Sequence, residues 1–322
     1  MQDMFTIRQA TELDIPAIVS LLKKSLGETS SIKTEAYWRW KHIDNPFGVS
    51  PVLLAVDGEQ LIGVRAMMQW QWQTGVIVHH CLRAVDTATH PQYQGKGIFR
   101  RLTETLLEQA SAEQYQFVFN TPNSKSLPGY LKMGWTVFSH APVYIRPVAG
   151  LNLQASKNWK YYQQVLAALT AEDYFSACLF PNQLHTPKTW AYLNWRYKQC
   201  PLNDYGLVSG FIYGLPFGII IKRKKRARFY ELRICDYWLA DASCLPLMLD
   251  AAVKAARETG CLFLSMCLTG EQKQHSFRKL GFVSIEKRSP VITIRTLQDT
   301  SSQFINTTAD RWHFQTGDLE LF

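Results

Sequence analysis

The sequence predicts an α/β protein with mixed sheets, built from two copies of one fold in tandem. Its 322 residues exceed the usual size of one domain, so two domains of about 150 residues each are expected. β-rich alternating stretches are interleaved with stretches of helical spacing in both halves. Short aromatic and glycine patterns of the first half also recur in the second half.

Composition excludes several classes of protein. Hydrophobic residues make up 47% of the chain and aromatic residues 13%, which is too much for a disordered protein. No apolar run reaches the roughly 18 residues of a membrane span, and no membrane partner is expected. The N-terminal segment Met1–Met4 carries an acid and has no apolar stretch behind it, unlike a signal peptide. The seven cysteines form no C-x-x-C pair, which predicts reduced thiols and a cytoplasmic protein.

The net charge of +9 could indicate nucleic acid, a polyanionic cofactor or simple solubility. The densest basic run, Lys222–Arg226, lies between two β-like stretches at 218–221 and 227–232. We expect it to form a solvated hairpin tip, so no nucleic-acid partner is predicted. The histidines are scattered and form no metal-ligand motif, so no metal is predicted either.

The first half opens with a strand, two helices and three strands. Asp14 is the predicted N-cap of the first helix, with Pro16 in its first turn. The pair Asp57-Gly58 is a strong hairpin signal between two of the strands. The predicted elements are a strand at 5–8, helices from 15 and at 33–42, and strands at 52–56, 60–72 and 76–89.

After these strands, helices and strands alternate. Ile98, Leu102, Leu106 and Leu107 share one helical face, which predicts a helix over 98–112. A strand at 115–120, a short helix at 123–131 and a final strand at 136–146 complete the first half.

A glycine-rich loop separates the strand that ends at Thr89 from the helix that begins at Ile98. In Gln92–Gly97, two glycines one residue apart let main-chain N–H groups crowd around a ligand. At the positive end of a helix, such N–H groups form an anion site that suits a pyrophosphate. Arg100 occupies the third glycine position of a dinucleotide-binding motif, and the Lys-Ser/Thr of a P-loop is absent.

Gln92, Gly95 and Gly97 fit the [QR]-x-x-G-x-[GA] signature, and here the chain resembles the GNAT superfamily of acetyltransferases. The predicted order of elements in the first half is also similar to that fold. The resemblance implies that the loop binds the pyrophosphate of acetyl-CoA. It also implies that the fourth and fifth strands splay apart, with main-chain N–H groups at the end of the fourth binding the acetyl and pantetheine groups. The residues expected to bind the cofactor are Thr87, Ala88, Thr89, Gln92, Gln94, Gly95, Lys96, Gly97, Ile98, Phe99 and Asn123.

The family's fifth-strand motif resembles the segment from Asn123 to Trp135 and makes Tyr130 the candidate acid for the departing thiolate. A core aromatic also fits, because the second half has Phe277 at this place. Asp86, near the acetyl end of the fourth strand, is the candidate base. A structural carboxylate is the alternative, because Asp236 has a similar place in the second half.

The internal repeat rests on two matches. Tyr37-x-x-Trp40-Lys41 with Pro46 corresponds to Tyr192-x-x-Trp195-Arg196 with Pro201, and both pairs of tryptophans and prolines are 155 residues apart. The Tyr130–Trp135 segment matches Phe277–Phe282 at an offset of 147 residues. The second copy lacks the glycine loop, so it should be degenerate. The architecture is similar to that of mycothiol synthase, in which one repeat is catalytic.

These patterns predict three segments. Residues 1–148 form a GNAT domain with the acetyl-CoA motif, and residues 149–298 form a degenerate GNAT-like domain. Residues 299–322 form a tail that folds back, in which His313 and Asp318 are second candidates for the base.

The resulting prediction is an acetyltransferase that moves an acetyl group from acetyl-CoA directly to an amine or hydroxyl. The acceptor is expected to be a small molecule or a sugar, and the protein to be a monomer or homodimer. A non-catalytic acyl-CoA-binding module is the alternative.

Overall fold

The computed structural model describes residues 5–27, 32–149, 158–174, 183–202, 204–269, 274–285, 289–298 and 312–319. Within these ranges the chain forms two mixed sheets with helices packed against them. None of the described helices is long and apolar enough to cross a membrane.

The elements of the first half follow the predicted order. The strands are β1 (Thr6–Gln9), β2 (Val52–Asp57), β3 (Gln60–Thr74), β4 (Ile77–Thr89), β5 (Phe117–Asn120), β6 (Thr136–His140) and β7 (Val143–Pro147). The helices are α1 (Ile15–Leu26), α2 (Glu35–His42), α3 (Ile98–Ala112) and α4 (Leu127–Lys132). Asp14 and Pro16 begin α1 as predicted, and α3 has its predicted bounds. The short helix begins later than predicted, because Asn123 first holds a turn by accepting the N–H groups of Lys125 and Ser126.

The second half repeats this order in shortened form. Its strands are β8 (Leu184–His185), β9 (Gly206–Ile212), β10 (Leu215–Arg226), β11 (Phe229–Leu239), β12 (Cys261–Cys267), β13 (Val283–Ile285), β14 (Val291–Thr296) and β15 (Trp312–His313). Its helices are α5 (Trp159–Ala168), α6 (Trp190–Leu193), α7 (Leu245–Glu258) and α8 (Gln274–Lys279), and a π-helical turn at Asn194–Lys198 extends α6.

Each sheet contains strands from the other half of the chain, since β8, β14 and β15 join the first sheet and β7 joins the second. The first sheet has the order β1-β2-β3-β4-β5-β14-β6, with β8 paired to both β3 and β15. The second sheet has the order β13-β7-β12-β11-β10-β9. Strand β14 therefore fills the gap between β5 and β6, and β7 fills the gap between β12 and β13. The two halves exchange corresponding strands.

The prediction of a single final strand at 136–146 is wrong. Pro142 has no N–H for a ladder and ends β6, after which the chain crosses to the second sheet as β7. The predicted boundary after residue 148 follows β7 along the chain and stays a prediction.

The basic run is not a hairpin tip. Lys222–Arg226 is the last part of β10, and the turn to β11 lies beyond it. Its side chains alternate between the two faces of the sheet, and Arg223 stacks on Tyr230 with 3.7 Å between the guanidinium carbon and the ring centroid.

The two halves meet through the repeated tryptophans. The indole N–H of Trp40 donates to the carbonyl of Trp195 at 2.7 Å, and the indole N–H of Trp195 donates to the carbonyl of Trp40 at 2.7 Å. The two rings stack with centroids 5.1 Å apart. Such a reciprocal pair is expected where two copies of one fold are related by an approximate twofold axis.

The described part of the predicted tail, residues 312–319, packs against the first half of the chain. Trp312 and Phe314 are buried against Trp72 of β3, and Thr316–Leu319 is also buried. The Asp318 carbonyl accepts a hydrogen bond from Arg83 on β4. The tail therefore lies between the halves and reaches the fourth strand.

Candidate active site

The glycine loop is open to solvent and geometrically prepared for an anion. Gly95 and Gly97 both have φ near +78°, a region that side chains with a Cβ rarely adopt. A Cβ built on either glycine meets no atom within 4 Å. The N–H groups of Gly95, Lys96 and Gly97 donate to no residue that the structure describes. Free N–H groups at the start of the 15-residue helix α3 fit a pyrophosphate.

Tyr93, the aromatic residue of the loop, anchors the loop to β2 and contacts Lys96. The hydroxyl of Tyr93 donates to Asp57 on β2 at 2.8 Å. The ammonium of Lys96 lies 4.5 Å from the centroid of the same ring. His90 accepts the N–H of Gln92 at 3.3 Å and so turns the chain out of β4. These contacts fix the loop while its N–H groups face solvent.

Strands β4 and β5 separate next to this loop, as predicted. They pair only at Leu82 with Val118 and at Arg83 with Phe119. Beyond that point β4 contains a bulge, because Arg65 of β3 pairs with Thr87 and Ala66 pairs with Val85. Asp86 is the extra residue and has φ of 26°.

The predicted acetyl-binding residues Thr87, Ala88 and Thr89 follow the bulge. The Thr87 hydroxyl donates to the Val64 carbonyl at 3.2 Å, and Ala88 is buried. The Thr89 carbonyl accepts the Ser25 hydroxyl of α1 at 3.1 Å. The bulge and the separation of the strands together open the sheet beside these three residues.

Asp86 is held as a carboxylate by two neighbours from α2. Its Oδ2 lies 2.7 Å from Lys41 Nζ and 2.9 Å from His42 Nε2, and its side chain is 25% exposed. Burial alone raises the pKa of the carboxyl, but the charge of Lys41 and the hydrogen bond from His42 outweigh it. The pKa of Asp86 is therefore held well below its usual range. An ionised carboxylate only accepts, so His42 Nε2 carries the hydrogen, and His42 Nδ1 lies 2.9 Å from the Ser50 hydroxyl.

Tyr130 lies on the other side of the sheet, where α4 packs on α3. Its ring contacts Phe99 and Trp135 edge-on, and its side chain is 4% exposed. Its hydroxyl accepts a hydrogen bond from Arg65 Nη1 at 3.0 Å, and the same nitrogen lies 3.5 Å from the Val85 carbonyl. The phenol is thus placed next to the bulge of β4.

Other predicted residues take simpler places. Gln92 and Gln94 are exposed in the loop, Ile98 is buried at the start of α3, and Phe99 packs against Tyr130. The side-chain oxygen of Asn123 is used by the turn before α4.

The two tail candidates have other partners. The Asp318 carboxylate lies 2.9 Å from Lys188 and accepts the Gln315 N–H at 2.7 Å. His313 is buried, and loss of hydration lowers the pKa of its imidazole to about 3. Neither side chain contacts Asp86 or Tyr130 among the hydrogen bonds of the described residues.

A small cavity lies between the halves next to Lys41. Its walls include Lys41, Trp70, Arg83, Trp195 and Gly317, and its volume is about 20 Å³. That is space for a single water molecule. An acceptor of several heavy atoms therefore does not fit in this cavity.

The sequence analysis missed Arg65, His42 and Ser50. Arg65 could have been noticed as the one cation in the apolar stretch from Leu61 to Met68. His42 and Ser50 gave no comparable signal, because their role depends on how α2 lies against β4.

The second half has lost the anion site. Where the first half has its glycine loop, the carboxylate of Asp241 accepts the N–H of Ser243 at 2.8 Å. Pro246 in the first turn of α7 removes one free N–H group. Asp236 is buried in an ion pair with Lys188 at 2.8 Å, and burial raises the pKa of its carboxyl. A pyrophosphate would meet a negative charge here, which agrees with a degenerate copy.

Comparison with known families and structures agrees with this geometry. Residues 6–138 match the acetyltransferase (GNAT) domain family. No curated protein matches the chain significantly.

Solved structures share the fold over both halves. A protein of unknown function from Enterococcus faecalis V583, a probable N-acyltransferase, superposes with a TM-score of 0.63 at 9% identity, over 92% of this chain and 74% of that chain. A GCN5-related N-acetyltransferase from Anabaena variabilis ATCC 29413 gives 0.63 at 13% identity, over 92% and 74%. Eis1 from Mycobacterium abscessus gives 0.58 at 8% identity, over 94% and 75%. At these identities the likeness shows the fold: two GNAT-like folds in tandem.

Proposed function

We propose that this chain, whose residues 6–138 match the acetyltransferase (GNAT) domain family, moves an acetyl group from acetyl-CoA directly to an amine. The open glycine loop with its free N–H groups, set beside the separated strands β4 and β5, is the observation that carries the proposal. The same arrangement of loop and strands also suits transfer to a hydroxyl. The acceptor is a small molecule or a sugar.

The residues suit the steps of a direct transfer. The acceptor nitrogen attacks the thioester carbon, the C–S bond breaks, and the sulfur takes up a proton while the nitrogen loses one. Tyr130 is the proposed donor of the proton to sulfur, because its phenol lies beside the bulge of β4. The role of Asp86 as a base stays a prediction. Its lowered pKa weighs against that role, because a carboxylate that stays ionised accepts a proton poorly.

Cytoplasmic location is part of the proposal. The six cysteines in the described residues are all buried free thiols, as in a protein of a reducing compartment.

A pair of glycine variants tests the cofactor site. Gly95 and Gly214 have the same φ, and a Cβ on either meets no atom within 4 Å, but Gly214 lies in the turn between β9 and β10. Gly95→Val and Gly214→Val therefore impose similar backbone strain, and only the former places a side chain against the pyrophosphate. By titration calorimetry with acetyl-CoA, we expect Gly95→Val to bind at least about tenfold more weakly, a loss of about 1.4 kcal/mol, and Gly214→Val to bind as the wild type does. Equal affinities for the two variants would contradict the assigned site.

A thiol-release assay then separates an enzyme from a binding module. With acetyl-CoA and a panel of amines and amino sugars, an enzyme releases CoA in an acceptor-dependent way. Tight binding of acetyl-CoA without such release would favour the non-catalytic acyl-CoA-binding alternative.

A further inference from the structure

Arg65 is a cation enclosed completely beneath the separated strands. It has 0% exposure, although the other residues of the stretch from Leu61 to Met68 are apolar. The guanidinium carbon lies 5.5 Å from the centroid of the Phe99 ring and 5.4 Å from that of the Tyr130 ring. Arg65 thus fills the space between the start of α3 and the proposed proton donor.

The hydrogen bonds of Arg65 are incomplete. Nη1 donates to the Tyr130 hydroxyl, but Nε and Nη2 are buried and have no partner among the described residues. No carboxylate of the described chain forms an ion pair with it. A buried charge with unmade hydrogen bonds destabilises a fold, so packing alone does not explain an arginine here.

We propose that Arg65 is the positioning residue that makes Tyr130 a proton donor to sulfur. A guanidinium can only donate, so the Tyr130 oxygen must be the acceptor in their hydrogen bond. The phenolic hydrogen then points away from Arg65 and is available to the leaving sulfur. This inference rests on the proposed acetyl transfer.

The same contact stabilises the next state of the reaction. When the C–S bond breaks, its electron pair goes to sulfur and the Tyr130 proton follows, which leaves a phenolate beside the Arg65 cation. The phenolate regains, through solvent, the proton that the acceptor nitrogen has lost. A cation next to a developing negative charge lowers the barrier to this step, and the burial of both side chains strengthens the effect.

A double-mutant cycle tests the proposal by kinetics. We expect Tyr130→Phe to lower kcat about 100-fold and Arg65→Met about tenfold, with KM for acetyl-CoA changed less than about threefold. The combined variant should be no slower than Tyr130→Phe, because Arg65 acts through the phenol. Arg65→Lys, which keeps a charge and a donor, should recover part of the rate. Additive losses in the combined variant would overturn the proposal.

A measurement without turnover separates this proposal from the proposed function. In protein labelled with ¹³C at tyrosine Cζ, the Tyr130 resonance is the one that Tyr130→Phe removes. We expect Arg65→Met to shift this resonance, and Arg146→Met, which removes an arginine near Phe282 of the second half, to leave it in place. A Tyr130 resonance unmoved by Arg65→Met overturns the proposal whether or not the protein turns over. If the resonance shifts but the protein releases no CoA with any acceptor, the contact between Arg65 and Tyr130 is supported. The proposed acetyl transfer is then refuted.

Discussion

At the scale of single residues, the site depends on charges that are buried with specific partners. Lys41 is 5% exposed in its side chain, and its short ion pair with Asp86 joins α2 to the bulge of β4. The same carboxylate accepts a hydrogen bond from His42 Nε2, and His42 Nδ1 is hydrogen-bonded to the Ser50 hydroxyl. These contacts hold an irregular residue in place where the sheet opens.

Replacing Asp86 by asparagine should destabilise the protein in a pH-dependent way. The change leaves the Lys41 charge buried without its carboxylate, and we expect a loss of roughly 2 kcal/mol near pH 7, less than for a fully buried pair because Asp86 is partly exposed. Unfolding by urea at a series of pH values measures the loss.

The direction of the pH dependence follows from the pKa of Asp86. The pKa is lower in the folded protein than the value of about 3.9 of an unfolded aspartate. The ion pair therefore contributes its full stability above about pH 4, and the contribution falls as the pH drops below that value toward the folded pKa. The difference in stability between wild type and Asp86→Asn should shrink on acidification. A difference that stays constant from pH 7 to pH 3 would refute this account.

Sequence patterns predict residues whose function lies in the backbone better than residues whose function lies in tertiary contacts. Gly95 and Gly97 were predicted because free φ angles and free N–H groups leave a signature in the local sequence. Arg65 was not predicted, because its role depends on the tertiary contact in which it donates a hydrogen bond from β3 to Tyr130 of α4. The ion pair of Asp86 with Lys41 could not be predicted for the same reason, because it too is a tertiary contact.

At the scale of elements, the tail is the clearest case of a segment fixed by buried charges. Lys188, before α6, lies 2.8 Å from Asp236 of β11 and 2.9 Å from Asp318 of the tail. The hydroxyls of Tyr192 and Tyr197 also donate to Asp236. These contacts hold the tail against β11 of the second half.

Lys188→Met should release the tail. Two carboxylates with 6% and 0% exposure would then face each other without a cation, and we expect a loss of about 3 kcal/mol. The thermal midpoint should fall, and limited proteolysis should cut the tail before the rest of the chain. Acetyl-CoA affinity should stay within about twofold, because the glycine loop is untouched. A protease-resistant tail in this variant would show that apolar packing of Trp312 and Phe314 is enough to hold it.

Most elements could be predicted from periodicity, but the sheet that β7 joins and the sheet that β14 joins could not. The prediction placed a single strand at 136–146, and the structure divides it at Pro142. Pro290 likewise precedes β14, and Ala141 donates its N–H to the Pro290 carbonyl at 3.0 Å. The matching Pro-Val pairs at 142–143 and 290–291 mark the two crossings. Alternation identifies a strand but does not say which sheet the strand joins.

At the scale of the whole molecule, strand exchange makes the two copies one folding unit. Each sheet receives its missing strand from the other copy, and the reciprocal Trp40–Trp195 hydrogen bonds close the same junction. We therefore expect one cooperative unfolding transition for the full chain, although the chain is long enough for two domains.

The predicted first domain should not fold by itself. A fragment of residues 1–148 lacks β14, so β5 and β6 would each expose an unpaired edge, and β7 would have no sheet to join. We expect this fragment to show no native near-ultraviolet circular dichroism and no cooperative melting. Adding a peptide of residues 289–298, which carries β14, should restore part of both, whereas a peptide of scrambled order should not. Cooperative melting of the fragment alone would mean that the first sheet closes without the exchanged strand, and that the two copies fold independently.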